Sequence, residues 1–177
     1  MPELDVKDLV VIDESGFPLN MVTPYGRCKK GKRLKLPAPL HGKNISVIGA
    51  IDIHGIIEMV MYEGSTDALC IETFMREILV PKLVPGKIII LDNSPVHEIE
   101  RLNKEIFIPA GLIALPLPRY SPDFSPIEMV WSKMKGTIKR ISPSNIGDLY
   151  EAINYAASFI DEDDIHGWFE HCGYEVQ

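Results

Sequence analysis

Residues 87–94 read KIIILDNS: four apolar side chains in a row, then an acid and two polar residues. A strand wetted on one face alternates apolar with polar. An unbroken run of this length instead suits a strand buried on both faces, as in the interior of an α/β sheet. The elements around it agree. LVVIDESG (9–16) is a second short apolar run ending in acids and a glycine, and reads as another buried strand. NISVIGAIDIHG and IIEMVMYEG (44–64) read as two strands joined by a tight turn at His54-Gly55.

TDALCIETFMREILVPKL (66–83) predicts a helix capped by Thr66 or Asp67 and ending near Pro81, with Leu69, Phe74, Ile78 and Leu79 as its apolar positions. Residues 97–111 suggest a helix and 112–118 a short strand. Residues 126–141 carry a 3.6-residue stripe of Ile127, Val130, Trp131, Met134, Ile138 and Ile141. Two more helices are expected at about 145–160 and 162–171. The order is β-β-β-α-β-α-β-α and then more helix. Three antiparallel strands followed by alternating elements make a mixed sheet with helices on both faces.

Length and composition are those of one soluble domain of 177 residues with a proper core. No apolar run reaches the ~20 residues needed to span a bilayer, and the first ten residues do not read as a signal peptide. Cys28, Cys70 and Cys172 are scattered and odd in number, which argues against a disulfide framework or a zinc site and fits a reducing cytosol.

The net charge of −7 is unevenly spread. Residues 148–177 hold eight acids and no Lys or Arg, leaving 18 basic against 17 acidic side chains in the first 147. Residues 15–51 hold no acid and seven basic side chains, six of them Arg27, Lys29, Lys30, Lys32, Arg33 and Lys35. Residues 129–147 hold four more, again with no acid. Clustered base can follow a phosphate backbone even in an acidic protein; a solvated loop with no partner is the plainer reading. The first basic stretch lies in 21–44, which reads as a long mobile loop or loose hairpin. Loops of that length in compact domains are often functional.

Asp13 and Asp92 each end a strand of Val/Ile/Leu character. If those strands are parallel neighbours, both carboxylates emerge at one edge of the sheet, where ligand sites of open α/β sheets lie. Close carboxylates repel, and a hard divalent cation such as Mg²⁺ or Mn²⁺ relieves that repulsion. Glu128 could join them from the start of its helix. Three carboxylates can hold two metals about 4 Å apart, an arrangement suited to in-line phosphoryl transfer. Each acid also has an ordinary explanation. An Asp at a strand end often bonds the following turn. In YSPDFSPIEMVWSKMK (120–135), Ser125 can cap the helix, Pro126 suits its first position, and Glu128 can reach back to close a capping box.

IDESGF (12–17), LDNSPVH (91–97) and LPRYSPDFSPIEMVWSKMK (117–135) resemble the three signature blocks of the DDE transposases, in the mariner-like subgroup of bacterial insertion sequences. YGRCKKG (25–31) and HCGY (171–174) look similar to that family too, so the resemblance covers nearly the whole chain. It implies an RNase H-like fold, a mixed five-stranded sheet flanked by helices. It implies that Asp13, Asp92 and Glu128 are the catalytic, metal-binding triad, served by two Mg²⁺ or Mn²⁺ ions, with Asn93 and His97 as possible accessory residues. Glu14, next to Asp13, should face the other side of its strand and stay outside the site.

The implied activity is metal-dependent DNA strand cleavage followed by strand transfer, with element ends and target DNA as partners. The basic residues at 27–35 would hold backbone phosphates. The chain is expected to form a single catalytic domain ending in acidic helices from about 145. Family members usually carry helix-turn-helix modules before this domain, and none fits ahead of residue 8. A separate DNA-binding half, and a homodimer, are therefore further expected partners, with the bacterial cytoplasm and nucleoid as the setting. Two alternatives remain: a non-specific metal-dependent nuclease, and a non-catalytic remnant that only binds DNA.

Overall fold

The computed structural model describes residues 5–21, 27–32, 43–92, 99–118 and 121–176. Five strands form one sheet: β1 (Leu9–Pro18), β2 (Asn44–Asp52), β3 (Gly55–Glu63), β4 (Ile88–Leu91) and β5 (Ile113–Pro116). Their spatial order is β3-β2-β1-β4-β5. β1 pairs antiparallel with β2, and β2 antiparallel with β3. β4 runs parallel to β1, and β5 parallel to β4. The mixed five-stranded sheet expected from the sequence is therefore observed, with KIIIL as an interior strand buried at every position from Ile88 to Leu91.

Both faces of the sheet are covered. Leu9, Val11, Val47 and Ile51 share one core with α3 (Ile127–Ile141), α4 (Ile146–Ala157) and α5 (Glu162–His171). Val10, Ile12, Ile48 and Ala50 pack on the opposite side with α1 (Ala68–Thr73), α2 (Ile99–Leu102) and the turns that follow each of them. Successive residues of β1 thus enter opposite cores, which is why its sequence shows no polar alternation before Asp13.

Several local expectations shift. β1 does not end at Asp13 but runs on to Pro18, because β2 continues to pair with it after β4 has stopped. The β2–β3 turn falls on Ile53 and His54, and Gly55, at φ +142°, opens β3. In the 66–83 segment the Asp67 side chain accepts from the Cys70 N–H and starts α1. The regular α-helix ends at Thr73, continues as π-helix over Phe74–Leu79, and closes as a 3-10 turn at Val80–Lys82. The cap at Asp67 sets a phase in which Ile71, Phe74, Met75 and Leu79 are buried, while Leu69 is 69% exposed rather than part of the stripe. A π-helical stretch, Asn103–Phe107, also follows α2.

α3 buries Ile127, Val130, Trp131, Met134 and Ile138, as its periodicity predicts. Ile141 is 43% exposed, because Ser142 takes a left-handed conformation (φ 57°) and turns the chain away. The two acidic C-terminal helices form near the expected places. Asn145 caps α4, and a capping box of Asp161 and Asp164 starts α5. Lys133 on α3 pairs with Asp164 on α5, tying the acidic end of the chain to the sheet-covering helix.

Candidate active site

Asp13 lies on the α3 face of β1, the middle strand of the sheet. Its Oδ2 accepts a 2.8 Å hydrogen bond from the indole Nε1–H of Trp131. Trp131 is buried and meets the Phe17 ring edge-on, with centroids 6.2 Å apart. The room for this indole comes from β2. Gly49 is the residue paired with Asp13 across the strands, and a Cβ there would stand 2.7 Å from Trp131 Cη2. Only glycine lets the ring lie so close to the sheet.

The electrostatics at Asp13 are unusual for an acid on a strand. Its carboxyl is pushed up to about 7, mainly by burial; the Trp131 hydrogen bond opposes this, and the charges of Glu14 and Glu128 add to it. Glu128 is exposed in the first turn of α3, three residues before Trp131, so one helix carries both the third acid and the donor to the first. Glu14 also raises the Tyr62 hydroxyl, whose pKa is lifted chiefly by burial. Tyr62 packs with the opposite core, so Glu14 faces away from Asp13 as its position on the strand requires.

Asp92 directly follows β4. The parallel pairing of β1 with β4 matches Val11 with Ile90, which places Asp13 and Asp92 two residues beyond the same rung. Both acids therefore stand where the parallel pairing gives out, at one edge, as the sequence suggests. Asp92 is exposed. Among the described residues, no three acidic, histidine or cysteine side chains converge closely enough to form a ready metal cage. The donor chemistry nevertheless fits a hard divalent cation. A half-buried carboxylate that favours its proton beside two more negative charges is relieved by an added positive charge, and oxygen donors suit Mg²⁺ or Mn²⁺.

A family model described as DDE superfamily endonuclease matches residues 8–150. The chain belongs to that family. Among solved structures it is similar to the Mos1 transposase paired-end complex with left transposon end, at 15% identity and a TM-score of 0.76, over 94% of this chain and 52% of that one. It is also similar to the Mos1 mariner paired end complex with Mn, at 16% identity and a TM-score of 0.67, over 95% of this chain and 53% of that one. The catalytic domain of Mos1 mariner transposase matches at 14% identity and a TM-score of 0.61, over 94% and 78% of the two chains. These likenesses show the RNase H-like fold of this DDE family member. The chain spans about half the length of the first of these structures. No curated protein matches it.

Within this DDE domain the other expected residues divide. Arg27, Lys29, Lys30 and Lys32 are exposed around a turn closed by the Lys32 N–H to the Lys29 carbonyl (3.0 Å), with Gly31 at φ +84°. Arg33, Lys35, Asn93 and His97 lie outside the described residues, as does much of the 21–44 segment. The Ser125–Glu128 capping box is absent. Pro126 occupies the cap position with no side-chain hydrogen bond, and the Glu128 N–H is satisfied by the Ser125 carbonyl at 3.1 Å. A backbone turn thus replaces the cap, and the Glu128 side chain is not spent on it.

Two features are not legible from the motifs. The periodicity of α3 places Trp131 only in the apolar stripe, although a buried indole N–H needs an acceptor. Three residues after Glu128, it is a neighbour of that acid on the helix surface, which is the signal that could have found it. Tyr174, in the HCGY stretch, donates from its hydroxyl to the Phe124 carbonyl at 2.8 Å, so the C-terminal segment holds the loop that leads into Glu128. Nothing in the spacing of those two residues announces that contact.

Proposed function

We propose that this chain is the catalytic domain of a transposase, cleaving DNA strands and joining the freed ends to target DNA with the help of divalent metal ions. The observation that carries this reading is the Asp13 carboxylate, held half-buried by Trp131 within the field of Glu128, on a strand whose parallel neighbour ends at Asp92. Family membership over residues 8–150 supports it. The Mos1 structures with transposon ends and with Mn support the extension to DNA and metal as partners.

In this reading Asp13, Asp92 and Glu128 are the metal ligands. Two Mg²⁺ or Mn²⁺ ions would activate the attacking hydroxyl and stabilise the leaving oxygen of an in-line phosphoryl transfer. β1 and β4 deliver the two aspartates to one edge, and α3 brings Glu128 in from the side. The exposed Arg27, Lys29, Lys30 and Lys32 hold backbone phosphates and give binding without sequence preference. Arg33 and Lys35 extend the same basic run, and Asn93 and His97 are accessory candidates following Asp92. Terminal-repeat recognition belongs to a partner or to a further part of the protein, and end pairing to a homodimer.

Plasmid nicking with Mn²⁺ at low salt, wild type beside Asp92→Ala, tests the site. Nicking by the wild type and its loss in the variant are expected. Equal nicking by both proteins would reject the triad. Joined products from duplexes with a free 3′-hydroxyl separate a strand transferase from a nuclease that only cuts.

A further inference from the structure

We infer that Trp131 is a positioning residue for the first catalytic carboxylate: its indole N–H holds Asp13 Oδ2, which fixes the carboxyl rotamer in which Asp13 would serve a divalent cation. This rests on the reading of Asp13, Asp92 and Glu128 as metal ligands.

The geometry is more constrained than a buried tryptophan finding any acceptor. The ring is pinned on two sides, by the bare backbone of Gly49 and by the edge-on contact with Phe17. The N–H is therefore delivered to one point, and the atom there is a carboxylate oxygen at 2.8 Å. Once Asp13 is ionised, the charge on that acceptor makes the bond stronger than one to a neutral carbonyl. The donor and Glu128 share α3 three residues apart, so any movement of the helix moves both together. A carboxylate whose outer partner fixes its rotamer has less freedom to lose when it takes a metal, and removing such a partner typically weakens metal affinity about 10–100-fold.

Two replacements separate the donor from its bulk. Trp131→Phe keeps an aromatic ring and removes the N–H. Benzothienylalanine at position 131 keeps the whole bicyclic shape, with sulfur where the N–H was, and decides the matter if the Phe variant does not fold. Mn²⁺ affinity is read from the electron paramagnetic resonance of the free ion as protein is added, beside the Mn²⁺ concentration that half-saturates plasmid nicking. The expected result is a Kd and a half-saturating concentration raised about tenfold or more in both variants, with a smaller loss of rate at saturating Mn²⁺. Wild-type affinity in the benzothienylalanine protein would show that only the ring's bulk matters and would overturn the inference while leaving the metal site standing. A wild type that binds no Mn²⁺ and nicks no better than Asp92→Ala would remove the metal reading itself, and this inference with it.

Discussion

Gly49 stands directly across from Asp13 on the neighbouring antiparallel strand, and the Trp131 ring fills the space its missing side chain leaves. Glycine weakens a strand interior by roughly 0.5–1 kcal/mol relative to alanine, so its presence at a position paired on both sides needs a reason. The reason is local: a methyl group there would overlap the indole at 2.7 Å, and the obstructing atoms belong to a rigid, buried ring. Gly49→Ala should therefore destabilise the fold by about 1–3 kcal/mol despite the better strand propensity of alanine. Urea unfolding measures this. A variant as stable as the wild type would mean that the ring shifts freely, and that the seat at Gly49 does not hold it.

Asp13 makes the stability of the metal-free protein depend on pH. Its folded-state pKa, about 7, lies above the ordinary aspartate value of 3.8. The folded protein then binds the proton more tightly than the unfolded chain. The resulting stabilisation is complete below about pH 4 and is lost as pH rises towards and through 7. Over that window the contribution falls by up to ~4 kcal/mol. In chelator, thermal unfolding between pH 5 and 8 should show a decline that Asp13→Asn flattens, with the variant more stable than wild type at pH 8. If Asp13 holds the metal as proposed, saturating Mn²⁺ should reverse the trend, because a ligand bound only by the folded state adds stability and the deprotonated carboxylate is the form that would bind. Identical pH profiles for wild type and Asp13→Asn would place the proton elsewhere.

The strands are legible because each is fixed by contrast with its flanks. The run from Leu9 to Ile12 and the KIIIL run are continuous where both faces are buried, and each stops at an acid where the parallel pairing ends. The parallel pairing that puts Asp13 and Asp92 at one edge follows from alternating β and α elements. Helix phase is harder. In 66–83 the apolar residues Leu69, Ile71, Phe74, Met75, Ile78 and Leu79 fit more than one stripe, and only the Asp67 cap with the π-helical widening selects the buried set. The Ser125 cap fails for a related reason: the preceding 3-10 turn at Pro122–Phe124 lets a backbone carbonyl satisfy the Glu128 N–H. Trp131 and Asp13 are 118 residues apart, and no local pattern encodes a contact of that range.

Tyr174 should stabilise the approach to Glu128 from a distance. Its hydroxyl donates to the Phe124 carbonyl, its ring lies 5.5 Å from that of Phe169, and burial pushes its phenol up to about 12. The bond is thus intact at any pH of interest. Tyr174→Phe removes one hydrogen bond and leaves the ring in place, so a loss of about 0.5–1.5 kcal/mol is expected. Amide hydrogen exchange should quicken at residues 127–129, where α3 begins, more than at the far end of the helix. Uniform exchange along α3 in the variant would mean that the loop keeps its shape without the C-terminal tether.

The exposed basic turn offers a test in which charge can be separated from fold. Lys29, Lys30 and Lys32 lie at the surface, outside both cores, so their replacement by alanine should change thermal stability by less than about 0.5 kcal/mol. If they hold backbone phosphates, each phosphate that is no longer neutralised takes about 0.9 off the slope of log K against log salt on duplex DNA. The triple variant should then bind duplex more weakly at low salt, with a slope shallower by roughly 2–3, and sequence should matter as little as before. Fluorescence anisotropy on an arbitrary duplex of about 30 base pairs at several salt concentrations measures both quantities. A slope equal to that of the wild type would show that these side chains point into solvent when DNA is bound, and that other basic side chains neutralise the phosphates.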